Sequence, residues 1–385
     1  MRLIKELIKK CVAYALFFIP RPSFIPPKGN IKGVNLIGPP ANCGLGIVTQ
    51  SIQNSLRPKM KVNRMLFSKF SLWGGQRFLF KNNIFVCSPN MMLKVPLSPS
   101  IFPFCNSRNI GLFFWELERP SQEWRWLKTW MDEVWVHSDF LVKSFSKMFR
   151  SVHKIPFVLD LKFNKKLNRS YFKLPKNAFI FIFSFDYWSE YVRKNPEALV
   201  QAFKKAFGDR SDVYLLIKST HAKYRPDEAT KLKSLIGSAK NIELRDVFIS
   251  SENMISLINL CDCYVSLHRA EGLGLGMAEA MALGKPVIAT NYSGNLEFMD
   301  DKNSCLVSYK KIPIKKNAYP HCNQDTNNGD WADPDLKQAA DYMQKIKANK
   351  AFREKIAKQA LMDMKRFTLK NQQQAILKRL EASHA

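Results

Sequence analysis

The 385-residue sequence is poor in acidic residues, in paired cysteines and in long apolar runs. Its eight cysteines form no CxxC pair and no Cys/His cluster with the spacing of a zinc site. We therefore expect reduced, mostly buried thiols in a cytosolic setting and no structural metal. The nearest candidate for a membrane span is the nine-residue stretch from Cys11 to Ile19, far short of the roughly 20 residues that cross a bilayer.

The excess of basic residues favours an anionic partner. Lys and Arg number 60 and Asp and Glu number 32, so the formal net charge is +28. A field of this sign attracts nucleic acid, an anionic membrane face or a phosphorylated substrate, and charge alone does not choose among them. A content of 46% hydrophobic and 24% charged residues excludes a disordered chain, and the length favours two domains.

The first 30 residues read as a basic amphipathic segment followed by a proline-rich linker, Pro20 to Gly29. Apolar residues recur at helical spacing from Leu3 to Cys11, with basic residues on the other face. A secretory signal is disfavoured because no small-residue cleavage pattern follows. A buried core helix and a helix lying in a membrane interface both remain open, and the second is slightly favoured.

Short apolar runs that alternate with helical patterns predict parallel sheets, because parallel neighbours need a crossover connection. The predicted strands are VNLIG (34–38), NIFVC (83–87), NIGLFF (109–114), EVWV (133–136), FIFIF (179–183), VYLLI (213–217), CYVSL (263–267) and PVIAT (286–290). We expect an α/β chain with doubly wound domains at 31–170 and 171–370, and a C-terminal helix end at 371–385. The Lys/Arg-rich segment 161–176 is the expected connection. In such sheets ligands bind at the carboxyl ends of the strands, where two domains would face each other across a cleft.

The stretch from Cys263 to Thr290 carries the clearest chemistry. It reads as strand, glycine-rich turn, helix over Met277 to Leu283, the stop residue Gly284, and a second strand. Glycines allow close backbone approach, and amides at a helix start point at an anion, for which a diphosphate is the natural occupant. Glu271 precedes the turn, and Glu279 is expected in the first turn of the helix.

The arrangement EGLGLGMAEAMALGKPVIAT, with its E-x7-E spacing, resembles the donor-binding motif of family 4 glycosyltransferases. That family has the GT-B fold of two Rossmann-like domains. Six further segments are similar to its members over about residues 31–370: GVNLIGPPANCGLGI (33–47), IGLFFWELERPSQEW (110–124), DEVWVHSDFLVKSF (132–145), FSFDYWSEYVRKNPEALVQAFKKAFG (183–208), YSGNLEFM (292–299) and GDWADPDLKQAADYM (329–343).

The resemblance implies a role for each matched residue. Glu279 would hold the ribose hydroxyls of a nucleoside-diphosphate sugar, Glu271 would lie near its sugar or phosphates, and Lys194 would bind the β-phosphate. The family's arginine is missing after FSFDYW, so Arg193 or Arg269 would take its place. Backbone at Gly272, Gly274, Leu275, Gly276 and Met277 would cradle the diphosphate, with His268 and Asn295 at the donor. The candidate catalytic residues are Glu271, Lys194 and Arg193.

In the N-terminal domain the resemblance points to an acceptor-side surface. Gly44 and Gly46 would lie in a loop at the cleft, and Glu116 and Glu118 would contact sugar or acceptor. His137 is interpreted as a structural histidine.

The resemblance implies a retaining, hexosyltransferase-type enzyme that needs no essential metal or other cofactor. Its acceptor would be a lipid-linked glycan of polysaccharide or lipopolysaccharide synthesis, on the cytoplasmic, inner face of an anionic membrane. A catalytically inactive glycan- or nucleotide-binding relative is the main alternative. A nucleic-acid-binding protein is disfavoured, since no such motif is present and the lysines are dispersed.

Overall fold

A computed structural model describes residues 15, 32–41, 44–67, 77–95, 104–159, 161–315, 318–319 and 329–382. The predicted N-terminal amphipathic segment and linker lie outside these ranges, apart from Ala15. The chain divides into two compact units, Met1–Val158 with Phe367–Ala385, and Leu159–Arg366. Each unit is an α/β layer structure around one parallel sheet.

The strands and helices alternate along most of the chain. The strands are β1 Gly33–Gly38, β2 Lys61–Leu66, β3 Asn82–Cys87, β4 Arg108–Phe113, β5 Glu133–Val136, β6 Val152–Lys154, β7 Phe179–Asp186, β8 Val213–Thr220, β9 Ile242–Asp246, β10 Cys263–Ser266, β11 Val287–Thr290, β12 Cys305–Val307, β13 Tyr309–Pro313 and β14 Asp330–Pro334. The α-helices are α1 Gly44–Leu56, α2 Leu127–Trp130, α3 Asp139–Phe145, α4 Tyr191–Lys194, α5 Pro196–Phe207, α6 Pro226–Ile236, α7 Ser251–Leu260, α8 Leu275–Ala282, α9 Leu336–Ala348, α10 Lys350–Met364 and α11 Leu369–Ala382.

The first unit is built on the parallel sheet β2-β1-β3-β4-β5-β6. Its central strands are buried on both faces, which explains why they read as continuous apolar runs in the sequence. Val34 and Leu36 of β1 pack in one core with Ile52 of α1 and with Ile376 and Leu380 of α11.

The C-terminal helix belongs to the first unit, whereas the sequence predicted a separate end at 371–385 after a domain reaching residue 370. Arg108 of β4 donates to the carbonyl oxygens of Arg379 and Leu380 at 3.1 and 3.0 Å, where a helix end leaves carbonyls without partners. The buried Glu133 carboxylate pairs with both Arg108 and Arg379. This buried ion network holds α11 against the sheet.

The second unit is built on the parallel sheet β12-β11-β10-β7-β8-β9. The predicted connection 161–176 packs within this unit, because Arg169 donates to the Leu260 and Ala178 carbonyls and pairs with Asp262 at 2.8 Å. The boundary therefore lies at Val158 and not near residue 170. Strand β10 lies directly beside β7, although about 80 residues separate them along the chain.

All eight predicted strands are present within a few residues of their predicted bounds. The strands that the sequence pattern missed include the four edge strands of the two sheets, β2, β6, β9 and β12. Three of these are partly exposed and polar, and the fourth has only three residues, so none presents a long apolar run. The described cysteines are free thiols, and in the described ranges no helix has the length and hydropathy of a bilayer span.

Candidate donor site

The glycine-rich turn connects β10 to α8 at the carboxyl edge of the second sheet. Gly274 takes a left-handed conformation with φ of 90°, and α8 begins at the next residue. The helix therefore starts two residues before the predicted Met277, and Glu279 is its fifth residue instead of lying in its first turn. Gly284, with φ of 68°, follows the helix end as predicted.

Two glycines of the turn are required by their surroundings. A side chain on Gly274 would meet the Met277 Cε atom at 2.3 Å in addition to the strain of its positive φ. At Gly276 a Cβ atom would stand 2.5 Å from the Tyr264 hydroxyl, which bonds Ser184 on the neighbouring strand. The first turn of α8 therefore packs closely against strands β10 and β7.

The first turn of α8 presents backbone amides at its amino end. The amides of Met277 and Ala278 already donate to the Gly274 carbonyl at 3.1 and 3.2 Å. The Leu275 and Gly276 amides precede the first intrahelical bonds and are the donors available to an anion. The Met277 amide is engaged within the helix, and contact of the backbone at Gly272, Gly274, Leu275 and Gly276 with a diphosphate stays a prediction.

Glu271 is the charged centre of the turn. Its Oε1 atom lies 2.5 Å from Lys194 Nζ and 3.1 Å from Arg193 Nη1, and all three residues are largely buried. Burial alone would raise the pKa of Glu271, but Arg193 and Lys194 outweigh it and lower that pKa to about 2. The carboxylate is ionised at every physiological pH, and the cluster of two cations and one anion keeps a net positive charge.

The two cations are placed by a tight connection after β7. Helix α4 ends at Lys194, Asn195 follows in a left-handed conformation with φ of 54°, and α5 begins at Pro196. Asn195 Nδ2 donates to the Leu267 carbonyl at 2.9 Å, and the Arg193 carbonyl accepts from the Arg269 amide at 2.8 Å. These bonds join the connection after β7 to the turn after β10.

Arg193 is held by backbone as well as by charge. Its Nη1 donates to the Ala270 carbonyl at 2.7 Å and its Nη2 to the Ser189 carbonyl at 2.9 Å. Arg269, the other candidate for the family's arginine, pairs with Asp333 of β14 at 3.1 Å and donates to the Val192 carbonyl. The structure therefore brings Arg193, and not Arg269, to the Glu271 carboxylate.

Glu279 occupies a different environment from Glu271. The residue is half-buried on α8, and in the described part of the chain its carboxylate has neither a hydrogen-bond nor an ion-pair partner. Burial raises the pKa of Glu279 to about 7. The two carboxyl groups of the motif thus differ in charge near neutral pH.

His268 and Asn295 meet beneath the turn, and both side chains are fully buried. His268 Nε2 lies 3.2 Å from Asn295 Oδ1, and Asn295 Nδ2 donates to the Thr290 carbonyl at 3.0 Å. Burial lowers the pKa of His268, which favours the neutral imidazole. Both residues support the turn from inside, and their direct contact with a donor stays a prediction.

Ser293 is a site residue that the sequence analysis missed. Its hydroxyl accepts from the Glu271 amide at 2.8 Å and donates to the Tyr292 carbonyl. Its backbone, with φ of 80° and ψ of −143°, is close to a region that glycine alone occupies readily. The serine is therefore held in a strained conformation that fixes the backbone of Glu271, and the Ser293-Gly294 pair is the sequence signal that could have indicated a special turn here.

The candidate residues of the first unit lie in separate elements. Gly44 and Gly46 are the first and third residues of α1, so they belong to a helix and not to the predicted loop. Glu116 and Glu118 are half-buried in the connection after β4. His137 is buried with its Nδ1 atom 2.7 Å from the Ile155 carbonyl, and burial lowers its pKa to about 4, as suits a structural histidine.

In the described ranges, no three His, Cys, Asp or Glu side chains come together as a metal site requires. Independence from metal stays a prediction.

Among known protein families, residues 167–312 match the family model Glycosyl transferases group 1. The group 1 match lies within the second unit and includes the glycine turn, the Glu271 cluster and Glu279. A search of curated protein sequences finds no match to the chain.

Solved glycosyltransferase structures share the fold over about nine tenths of this chain. HepE from Anabaena, in complex with UDP-glucose, is 13% identical over 91% of this chain and 99% of that chain, with a TM-score of 0.64. Sucrose-phosphate synthase from Thermosynechococcus elongatus is 15% identical over 91% and 100%, with a TM-score of 0.66. A glycosyltransferase from Rickettsia africae is 16% identical over 88% and 82%, with a TM-score of 0.54. The predicted GT-B class of two Rossmann-like units is confirmed, while membership of family 4 stays a prediction.

The strain at Ser293 predicts different stabilities for two small substitutions. Ser293→Ala keeps the strained backbone and leaves the Glu271 amide unbonded, so we expect it to lower the free energy of unfolding by about 1–3 kcal/mol. Ser293→Gly loses the same bond but relieves the strain, and we expect it to stay within about 1 kcal/mol of the wild type. Urea unfolding at pH 7 measures both, and equal destabilisation by the two variants would contradict the assignment of strain.

Proposed function

We propose that the protein is a retaining glycosyltransferase that moves a hexosyl group from a nucleoside-diphosphate sugar to a hydroxyl of a glycan acceptor. The observation that carries this proposal is the Lys194–Glu271–Arg193 cluster beside the first-turn amides of α8. Fixed positive charge and helix amides at one place suit a diphosphate.

The chemistry follows from where charge develops. When the bond between the sugar C1 atom and the diphosphate oxygen breaks, the electron pair and negative charge go to the nucleoside diphosphate. Lys194, Arg193 and the amides of Leu275 and Gly276 stabilise that charge from preorganised positions. The acceptor oxygen bonds C1 on the face from which the diphosphate leaves, and its proton passes to the departing phosphate. No covalent residue is assigned.

The two glutamates take separate roles in this proposal. Glu271, ionised and paired, holds the two cations in place and lies near the donor's sugar and phosphates. Glu279, whose carboxylate has no described partner, accepts hydrogen bonds from the ribose hydroxyls. The crystallisation of HepE with UDP-glucose supports a nucleotide sugar as the donor class.

The inactive-relative alternative rested on the missing arginine after FSFDYW. The pairing of Arg193 with Glu271 at 3.1 Å supports the proposal of an active enzyme over that alternative. Acceptor recognition is assigned to the first unit, with Glu116 and Glu118 as its proposed contacts.

The proposal also includes the class of acceptor and the location of the enzyme. A net charge of +28 and the basic amphipathic pattern of the first 19 residues suit a peripheral enzyme on the cytoplasmic face of an anionic membrane. A lipid-linked glycan of polysaccharide or lipopolysaccharide synthesis is the acceptor that such a surface presents.

The donor site is tested by calorimetry and thermal shift with UDP, GDP, ADP and dTDP, each with EDTA present, followed by their common sugars. We expect one base to stabilise the protein. Lys194→Gln should weaken binding of that nucleotide by about tenfold or more, because one phosphate-facing cation is lost. Lys205→Gln, which removes an exposed lysine of α5, is the matched control.

Glu271→Gln should lower the rate of transfer by about a hundredfold or more, because Arg193 and Lys194 lose the carboxylate that positions them. Circular dichroism and the melting temperature establish that this variant is folded. Full transfer by Glu271→Gln together with unchanged nucleotide binding by Lys194→Gln would contradict the assignment of these two residues to the donor site.

The raised pKa of Glu279 predicts a pH-dependent affinity for the donor. Ribose hydroxyls donate to the ionised carboxylate, so binding favours deprotonation and strengthens as pH rises from 6 to 8 through about 7. A nucleotide sugar is the probe, because its diphosphate is esterified at both ends and does not titrate there. Calorimetry in buffers of different ionisation enthalpy should show proton release at pH 7. Glu279→Gln should abolish this proton release. Proton release that persists in Glu279→Gln would show that the proton comes from another group.

Membrane association is tested by co-sedimentation with vesicles that contain anionic phospholipid. We expect the full chain to bind at low salt and a chain lacking residues 2–19 to bind at least about tenfold more weakly. Neutral vesicles are the control, and equal binding by both chains would place the membrane contact elsewhere.

A further inference from the structure

Three aromatic rings form a cluster at the carboxyl edge of the second sheet. Trp188 follows β7, and His221 and Tyr224 follow β8. The Trp188 and His221 rings stack with centroids 3.7 Å apart and planes inclined by 10°, and Tyr224 lies 5.2 Å from Trp188 at 37°. We name these three residues the aromatic platform.

The platform is anchored by hydrogen bonds and yet exposed. Trp188 is 56% exposed and Tyr224 is 54% exposed. The Asp186 carboxylate lies 2.9 and 3.0 Å from His221 Nδ1 and accepts from the Trp188 amide at 2.9 Å. His221 also takes a left-handed conformation with φ of 69°, which is costly for a residue other than glycine. Large rings that are held in place while facing water are typical of a surface that binds a ligand.

A short stretch of chain joins the aromatic platform to the Glu271 cluster. The 3₁₀ turn Tyr187–Ser189 leads through Glu190 into α4, whose last two residues are Arg193 and Lys194. Arg193 Nη2 donates to the Ser189 carbonyl at 2.9 Å, immediately after Trp188. Because β7 lies between β8 and β10 in the sheet, the platform adjoins the connections that carry the charged cluster.

We propose that the aromatic platform binds a saccharide ring of the substrate. The C–H face of a pyranose packs on the free face of Trp188, and its hydroxyls reach the Asp186 carboxylate and the His221 imidazole beside the rings. A nucleobase stacked on Trp188 is the competing occupant, and the nucleoside-diphosphate measurements below distinguish it from a saccharide. This inference rests on the proposed function for the source of the sugar, which is either the donor or the acceptor glycan.

The test compares Trp188→Ala, Trp188→Phe and Tyr224→Ala with the wild type. Tyr171→Ala is the matched control, because Tyr171 is a 59% exposed tyrosine of the same unit outside the platform. Calorimetry measures the affinities for UDP, GDP, UDP-glucose and GDP-mannose. Saturation-transfer NMR measures the binding of methyl glucoside, methyl mannoside, methyl galactoside and N-acetylglucosamine. Circular dichroism and the melting temperature establish that each variant is folded.

We expect Trp188→Ala to weaken saccharide binding by about tenfold, with most of the affinity restored in Trp188→Phe and no change in the control. Weaker binding of a nucleotide sugar with unchanged binding of its nucleoside diphosphate assigns the platform to the donor sugar. Weaker binding of free glycosides assigns it to the acceptor glycan.

Two outcomes would overturn the proposal. An equal loss of affinity for UDP or GDP and for the corresponding nucleotide sugar would place the base on the platform. Unchanged binding of every saccharide probe, including the case in which the wild type binds none, would leave the platform without this role. If the wild type binds glycosides through Trp188 but binds no nucleotide, saccharide binding by the platform is supported. The proposed reaction with a nucleotide-sugar donor is then contradicted.

Discussion

The ion cluster at Glu271 is the interaction on which the candidate site depends. A buried carboxylate is costly unless cations and hydrogen bonds compensate for its lost hydration, and here Arg193 and Lys194 pair with the Glu271 carboxylate while the Ser293 hydroxyl accepts from the Glu271 backbone amide. The cluster joins the connection after β7 to the turn after β10. Removal of the Glu271 carboxylate would leave two buried cations without their shared partner, so Glu271 is the member on which the cluster depends.

The environments of Glu271 and Glu279 shift the pKa values of their carboxyl groups in opposite directions. Cations lower the pKa of Glu271 to about 2, and burial without a partner raises that of Glu279 to about 7. Such a division separates the roles of paired carboxyl groups in many sites. In this protein it leaves one permanent anion that organises cations and one carboxyl group that can respond to a ligand.

Strained backbone is concentrated around the same edge of the second sheet. Glu190, Asn195, His221 and Ser293 all have positive φ values, and they flank the charged cluster or the aromatic platform. Hydrogen bonds hold three of these conformations, namely the Asn195 bond to Leu267, the His221 bond to Asp186 and the Ser293 bond to Glu271. The sheet core supplies the rigidity, and the loops at its carboxyl edge carry the chemistry.

The sequence by itself determined the buried strands, the glycine turn and the residue types of the site. Parallel strands are buried on both faces and therefore read as apolar runs, and the spacing around Glu271 placed a helix start after β10. Tertiary structure alone decided the edge strands, the return of α11 to the first unit and the choice of Arg193 over Arg269. Glu271 and Lys194 are 77 residues apart, and they meet only because sheet order sets β10 beside β7. Contacts between distant segments depend on strand order and on competing partners such as Asp333, which local sequence does not encode.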